Sequence, residues 1–312
     1  MKLFCPSNIY QESWLLLSIT KLLGLYPIKF FRIAFPNYLY VSILVALYWF
    51  CHWQFLYYIF DMFDKFRSIN DTFLLRYVRV YLNILSYPII IISSMYKCSK
   101  VKKAFEQLDT VDESAKFLNI EIDHSLCMKN DIVRITTAIF VVLTCNLMDY
   151  YGLLDNDSGF IYLLIWVIDR LPDFVCVIVI CSFTVFMYKI EIRFMQINTI
   201  LNIITKGKHF ISISEMSDMN NVSRYRLLKW LRFELHKTMS LLNEAYSYRF
   251  KLMTIIYIGY ICLHVCIIYN HTFNTFYAPD VILSFTWSTI DLIKLVYLIH
   301  LYGNLTLEIP TD

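Results

Sequence analysis

Six stretches of the chain are long and apolar enough to cross a bilayer: Tyr38 to Phe60, Leu74 to Ser93, Ile135 to Leu154, Phe160 to Tyr188, Leu252 to Tyr269 and Val281 to Tyr302. A spanning helix needs about 20 predominantly apolar residues, because backbone polar groups in lipid must be satisfied within the segment itself. Strand-like alternation is lacking, so the pattern predicts an all-α, polytopic membrane protein with six transmembrane helices. The composition agrees, with 58% hydrophobic and 17% charged residues and a mean hydropathy of +0.53, where globular domains are near half apolar and a quarter charged. Trp14 to Phe35 is also apolar, but Lys21, Lys29 and Arg32 interrupt it and Pro27 breaks it. It reads as an interfacial or re-entrant element without the small-residue cleavage site of a signal peptide.

The charges between the spans set an orientation. From the amino terminus onward, Lys and Arg number 4, 2, 7, 0, 11 and 0 in the successive segments outside the six spans. Lys97, Lys100, Lys102 and Lys103 crowd the edge of the second loop, whereas the third is bounded by Asp149, Asp155 and Asp157. Cytoplasmic loops carry the excess of bases, so the amino terminus is predicted to be cytoplasmic. The layout is then a cytoplasmic or interfacial segment over 1–37 and helices one to four over 38–188. A cytoplasmic helical extension and linker follows over 189–251, then helices five and six over 252–302 and a short tail over 303–312. Acceptor tripeptides for glycosylation at Asn70, Asn156 and Asn270 fall in the three predicted external loops.

The fourth loop has its own periodicity. Ile190, Phe194, Ile197, Leu201 and Ile204 continue the fourth helix beyond the membrane edge. Lys206 to Asn221 reads as a linker, and Ser223 as the cap of a helix running into the fifth span. That helix places Leu228, Leu231, Leu235, Met239 and Leu242 on one face, and Arg226, Lys229, Arg232 and Lys237 mostly elsewhere. The apolar face either folds against its own chain or joins subunits.

Several motifs, in order, resemble a known family. Leu23-Gly24-Leu25-Tyr26-Pro27 resembles the amino-terminal signature of insect gustatory receptors. Arg193-Phe194 with Asn198 and Leu201 is similar to the pattern after their fourth span, and Leu235-His236 with Leu242-Asn243 and Tyr246-Ser247 to the block before their fifth. Gly24, Pro27, Arg193, Phe194, Asn198, His236 and Asn243 thus take structural roles by resemblance. The resemblance implies a subunit of a tetrameric, ligand-gated, non-selective cation channel of the plasma membrane of sensory neurons, homomeric or heteromeric. It implies a pocket for a small-molecule tastant in the outer half of the helix bundle, and assembly through cytoplasmic helix extensions. It also implies a seventh, pore-lining helix, which the sequence after Tyr302 does not supply, so the chain is expected not to conduct alone.

Ionisable residues at membrane depth are costly and mark candidate contacts. Tyr162, Trp166, Asp169 and Asp173 share a face of the fourth span, with Arg170 adjacent. Arg76, Arg79 and Asn83 share a face of the second, and Ser284, Trp287, Ser288 and Asp291 one of the sixth, with Lys294 three residues on. Tyr257, Tyr260 and His264 stand on the fifth, and His52 near the middle of the first. Aromatic walls with convergent polar groups suit a small polar ligand, so Asn83, Tyr162, Trp166, Asp169, Arg170, Asp173, His264, Trp287, Ser288 and Asp291 are the predicted ligand contacts. Each also has a purely structural reading. Asp291 and Lys294 can pair within one helix, Asp169 can pair with Arg170 or with an arginine of the second span, and Arg76 and Arg79 can snorkel to headgroups.

Other classes are disfavoured. The formal charge of +3 does not suggest nucleic acid. No hydrolase, phosphate-loop or metalloprotease signature is present, so neither an enzyme nor a cofactor is expected. The nine cysteines form no Cys-x-x-Cys pair, which argues against metal. A transporter with a midplane polar site is the alternative, although no internal repeat supports it. A G-protein-coupled receptor would place its amino terminus outside, against the charge count.

Overall fold

The computed structural model describes residues 6–27, 35–65, 73–153, 160–207, 215–273 and 278–307, with no description of side chains at 35, 55, 57–77, 79–80, 148–162, 203–222, 271, 273–280, 283 and 302–307. Every regular element among the described residues is a helix: α1 (Ile9–Glu12), α2 (Trp14–Leu22), α3 (Phe35–Lys65), α4 (Phe73–Lys116), α5 (His124–Leu153), α6 (Phe160–Gly207), α7 (Glu215–Phe273) and α8 (Ala278–Leu307). The predicted spans fall on α3 to α8 in order. One helical stretch among the described residues, Ser223–Asn270 of α7, is long and apolar enough to cross a membrane by length and composition alone.

α4, α6 and α7 contain 44, 48 and 59 residues, two to three times what a bilayer core requires. The predicted continuation of the fourth helix is therefore present. Of the predicted linker, Lys206 to Asn221, residues 208–214 lie outside the described residues and the rest is helical; α7 already begins at Glu215, so Ser223 lies inside a helix and caps nothing. No glycine or proline stands between Lys208 and Ser223, and polar residues alone do not stop a helix. Asn270 is helical and half-buried in the last turns of α7, not in a loop. Asn70 and Asn156 lie outside the described residues.

The residues group into two compact units, the first comprising Met1–Ser18, Lys97–Ile135 and Cys181–Tyr246, and the second Ile19–Tyr96, Thr136–Ile180 and Ser247–Asp312. In the first, the α7 stripe read from the sequence is the core face: Leu228, Leu231, Leu235, Met239 and Leu242 are all buried, while Arg226, Lys229, Arg232 and Lys237 are exposed. The apolar face thus packs within its own chain. Phe105 meets Phe186 edge-on at 4.7 Å and stacks on Tyr10 at 5.5 Å, which seats α1 in this core. Ile9 and Leu16 are fully enclosed. The start of the segment read as interfacial therefore has its apolar side chains inside the protein. Between α4 and α5, Asn119 adopts a positive φ of 57° and the Ile120 amide bonds the Ala115 carbonyl at 3.1 Å, a left-handed helix stop that asparagine tolerates. Asp123 then caps α5 by accepting from the Ser125 and Leu126 amides.

The second unit has an inverted surface. Leu47, Phe50, Trp53, Leu85, Ile92, Phe140, Leu143, Ile255, Phe285, Ile293, Val296 and Ile299 are all exposed, far more large apolar surface than a water-facing unit carries. Its interior holds Tyr48, Tyr87, Ile165, Met253, Tyr257 and Trp287 together with polar Asn83, Asp169 and Asp291. Two prolines interrupt its helices, Pro88 in α4 and Pro172 in α6. Pro88 cannot donate to the Ile84 carbonyl, and the Trp49 indole donates to that oxygen instead, at 3.3 Å.

α2 ends on Gly24, whose φ of +73° is the left-handed conformation glycine adopts freely. The Leu25 amide reaches back to the Thr20 carbonyl at 2.8 Å, completing the stop. A Cβ at this position would come within 2.9 Å of Leu44 Cδ1. Gly24→Ala should lower stability by about 1–2 kcal/mol, from the left-handed backbone and the crowding together. A thermal melt of the detergent-purified protein measures this; an unchanged melting temperature would count against the turn as drawn.

Candidate functional site

Within the second unit, α4, α6, α7 and α8 each direct polar side chains into one small cavity. Its lining is Asn83, Asp169, Arg170, Asp173, Tyr260, His264, Trp287 and Asp291, around about 20 Å³ of space, room for roughly one water. The helical spacing that aligned Asp169 with Asp173, and Trp287 with Asp291, puts both pairs on inward faces.

Asn83 organises one side. Its Nδ2 donates to Asp169 Oδ1 at 2.7 Å and to the Asp169 carbonyl at 3.1 Å, and its Oδ1 accepts from Tyr260 Oη. The Asn83 carbonyl accepts from Tyr48 Oη at 3.0 Å. Asp169 is therefore held across helices by a neutral amide.

Lys294 organises the other side. Its ammonium donates to Asp173 Oδ1 at 2.6 Å and reaches Asp291 Oδ1 at 3.4 Å. The Asp291–Lys294 pair foreseen within one helix is present, but the closer contact joins α8 to α6. Asp291 Oδ2 also lies 3.9 Å from His264 Nε2. The Arg170 guanidinium sits over the Trp287 ring at 4.4 Å, a cation–π geometry.

Seven of the ten residues predicted as ligand contacts line this cavity: Asn83, Asp169, Arg170, Asp173, His264, Trp287 and Asp291. Trp166 is buried and Ser288 half-buried, and the lining includes neither. Tyr162 is on α6, with its side chain outside the described residues, as are those of Arg76 and Arg79. Tyr260 is a lining residue beyond the ten. Its phenol sits one turn from His264 on α7, the signal that marks it. Chemically, the cavity offers donors, acceptors and an aromatic wall to a small polar group, with carboxylates and cations already engaged around it.

None of the family-motif residues belongs to the lining of this cavity. In the first unit Arg193 is fully buried and grips Asp112 through both ends of its guanidinium, Nε to Oδ1 at 2.6 Å and Nη2 to Oδ2 at 2.5 Å. Phe194 meets the His236 ring edge-on at 4.8 Å, and Asn198 and Asn243 are half-buried. In the second unit Gly24 and Pro27 form the buried turn after α2.

Helices as the only regular elements among the described residues, and a second unit with an apolar exterior around a polar cavity, are the features of a membrane protein. The pattern of the 7tm chemosensory receptors matches residues 15–309, and the chain belongs to that family, as its resemblance to gustatory receptors implies. No individual curated protein matches the chain significantly.

Removing the Lys294 charge alone, as in Lys294→Met, takes from Asp173 and Asp291 the ammonium they share, a loss of about 3–5 kcal/mol for a broken buried pair. Combining it with Asp173→Asn should recover a large part of that loss. Melting temperatures of the two single variants and the double variant measure the coupling; strictly additive losses would show that the pair does not hold α6 to α8.

Proposed function

We propose that this chemosensory receptor is a gustatory receptor subunit: part of a ligand-gated, non-selective cation channel in the plasma membrane of sensory neurons that responds to a small-molecule tastant. The observation that carries the reading is the convergence of Asn83, Asp169, Arg170, Asp173, His264, Trp287 and Asp291 from four helices around one cavity, in a chain of a chemosensory family. Family membership supports a receptor rather than an enzyme. The second unit, with its exposed apolar side chains, is the membrane part and holds the six spans. The first, which carries the Lys- and Arg-rich segments, faces the cytoplasm. Assembly is as a tetramer, homomeric or with other gustatory subunits. Ligand gating needs only that the ligand bind the open arrangement more tightly than the closed one. Rearrangement of the Asn83 bonds on ligand entry, against the fixed Lys294 pair, provides two such arrangements.

Two measurements test this. An epitope at the amino terminus should be inaccessible to antibody in intact cells and accessible after permeabilisation; surface labelling of intact cells would overturn the orientation. In cells co-expressing partner gustatory subunits, Asn83→Ala or Asp169→Asn should raise the ligand concentration for half-maximal current about tenfold or more, the scale of one lost polar contact to a buried charge. Unchanged responses at normal surface expression would reduce these residues to helix packing.

A further inference from the structure

The first unit buries a cluster of charges that takes in the motif arginine, Arg193, and shares no residue with the cavity lining. Glu12 of α1 is at its centre, its side chain fully enclosed. Lys189 of α6 bonds Glu12 and also Asp131 Oδ2 of α5, the latter at 2.5 Å. His124 Nδ1, at the start of α5, lies 2.7 Å from Glu12 Oε2. Arg193 reaches Glu12 only at 3.9 Å, being committed to Asp112 of α4. Lys189 is thus shared between two carboxylates, Glu12 and Asp131, while Arg193 is taken up by Asp112. Buried charge that is not balanced is costly, so the protonation of Asp131 and the seating of Glu12 are linked.

A proton on Asp131 ends the competition for Lys189 and leaves the ammonium to Glu12. We propose that α1 is a proton-tightened latch, in which Glu12 is gripped more firmly as the medium around the first unit acidifies and is loosened as it turns alkaline.

The remaining groups facing the cluster do not reverse this sign. They are Tyr10 on α1, Asp109 and Asp112 on α4, Cys127 and Arg134 on α5, and Cys181 and Arg193 on α6. Burial pushes the Cys127 thiol up to about 11, so it stays protonated, and Arg134 sits over the Tyr188 ring at 3.5 Å. Burial pushes Asp131 up to about 6 despite Lys189 beside it. Its contribution to docking is fully present below its ordinary value of 3.8 and is lost as pH rises through about 6. Burial also pushes Glu12 up, but His124, Lys189 and Arg193 together outweigh it and hold the carboxyl below its ordinary 4.5. That contribution is present above 4.5 and fails only in stronger acid. Acidification from neutrality toward about 6 therefore tightens the latch. Only the naming of that medium as cytoplasm rests on the proposed orientation.

Hydrogen exchange of segment 7–22 in the full-length, detergent-purified protein tests the latch, with rates corrected for intrinsic pH dependence and segment 228–242 as the fold control. Protection of 7–22 should be about twofold greater at pH 6 than at pH 8. Asp131→Asn should abolish the difference with the control segment unchanged. Equal protection of the native chain at both pH values would overturn the latch. So would an Asp131→Asn variant that keeps the full difference.

Discussion

Charge withdrawn from water must be answered by a partner, and in this chain the answers come from other helices. Arg193 on α6 is answered by Asp112 on α4. Lys189 on α6 is answered by Glu12 on α1 and Asp131 on α5, and Lys294 on α8 by Asp173 on α6. Hydrophobic burial is non-directional and lets a helix slide or turn against its neighbour with modest loss. A bidentate guanidinium–carboxylate pair does not. The apolar stripes bring the helices of each unit together, and the buried pairs then set which residue lies opposite which. Breaking such a pair is costly even where the intact pair adds little net stability, so these contacts select among packings more than they deepen any one of them.

Periodicity made much of this legible. The stripe from Leu228 to Leu242 follows a 3.6-residue repeat and is buried, because amphipathic spacing reports directly on a core face. The in-span polar residues were legible for a different reason: at membrane depth a charge is conspicuous, and Asn83, Asp169, Asp173, Trp287 and Asp291 meet around one cavity. What the sequence concealed was partnership. Lys294 stands three residues from Asp291, yet its shorter contact is to Asp173, 121 positions away. Glu12 gave no sign at all. It is the one acid of an amino-terminal stretch whose apolar character suggested a surface-lying element, and its partners at 124 and 189 become neighbours only through tertiary packing. The available clue was weak: Lys189 and Arg193 lie four apart, so they share a face of a helix whose neighbours are apolar. The helix start at Glu215 was misplaced because serine and asparagine favour caps and turns without being able to impose them.

The cavity contains a tension that bears on its role. A site evolved purely to pin helices would leave no space among its partners, and a site evolved purely to bind would leave its polar groups unengaged. Here the groups are engaged and about 20 Å³ remains. The engaged bonds are of two strengths. Asn83 is neutral and bridges Asp169 and Tyr260, whereas Lys294 is charged and bridges Asp173 and Asp291. The Asn83 bond to the Asp169 carboxylate has one charged partner and a net worth of about 1.5–3 kcal/mol; breaking the buried Lys294 pair costs more, about 3–5 kcal/mol. On the proposed function, the Asn83 side is the face at which an incoming polar group would substitute for an existing partner, with the Lys294 side as the fixed wall against which that substitution is registered. Binding and packing would then be the same set of hydrogen bonds in two arrangements, which is the physical minimum a ligand needs to bias one conformation over another.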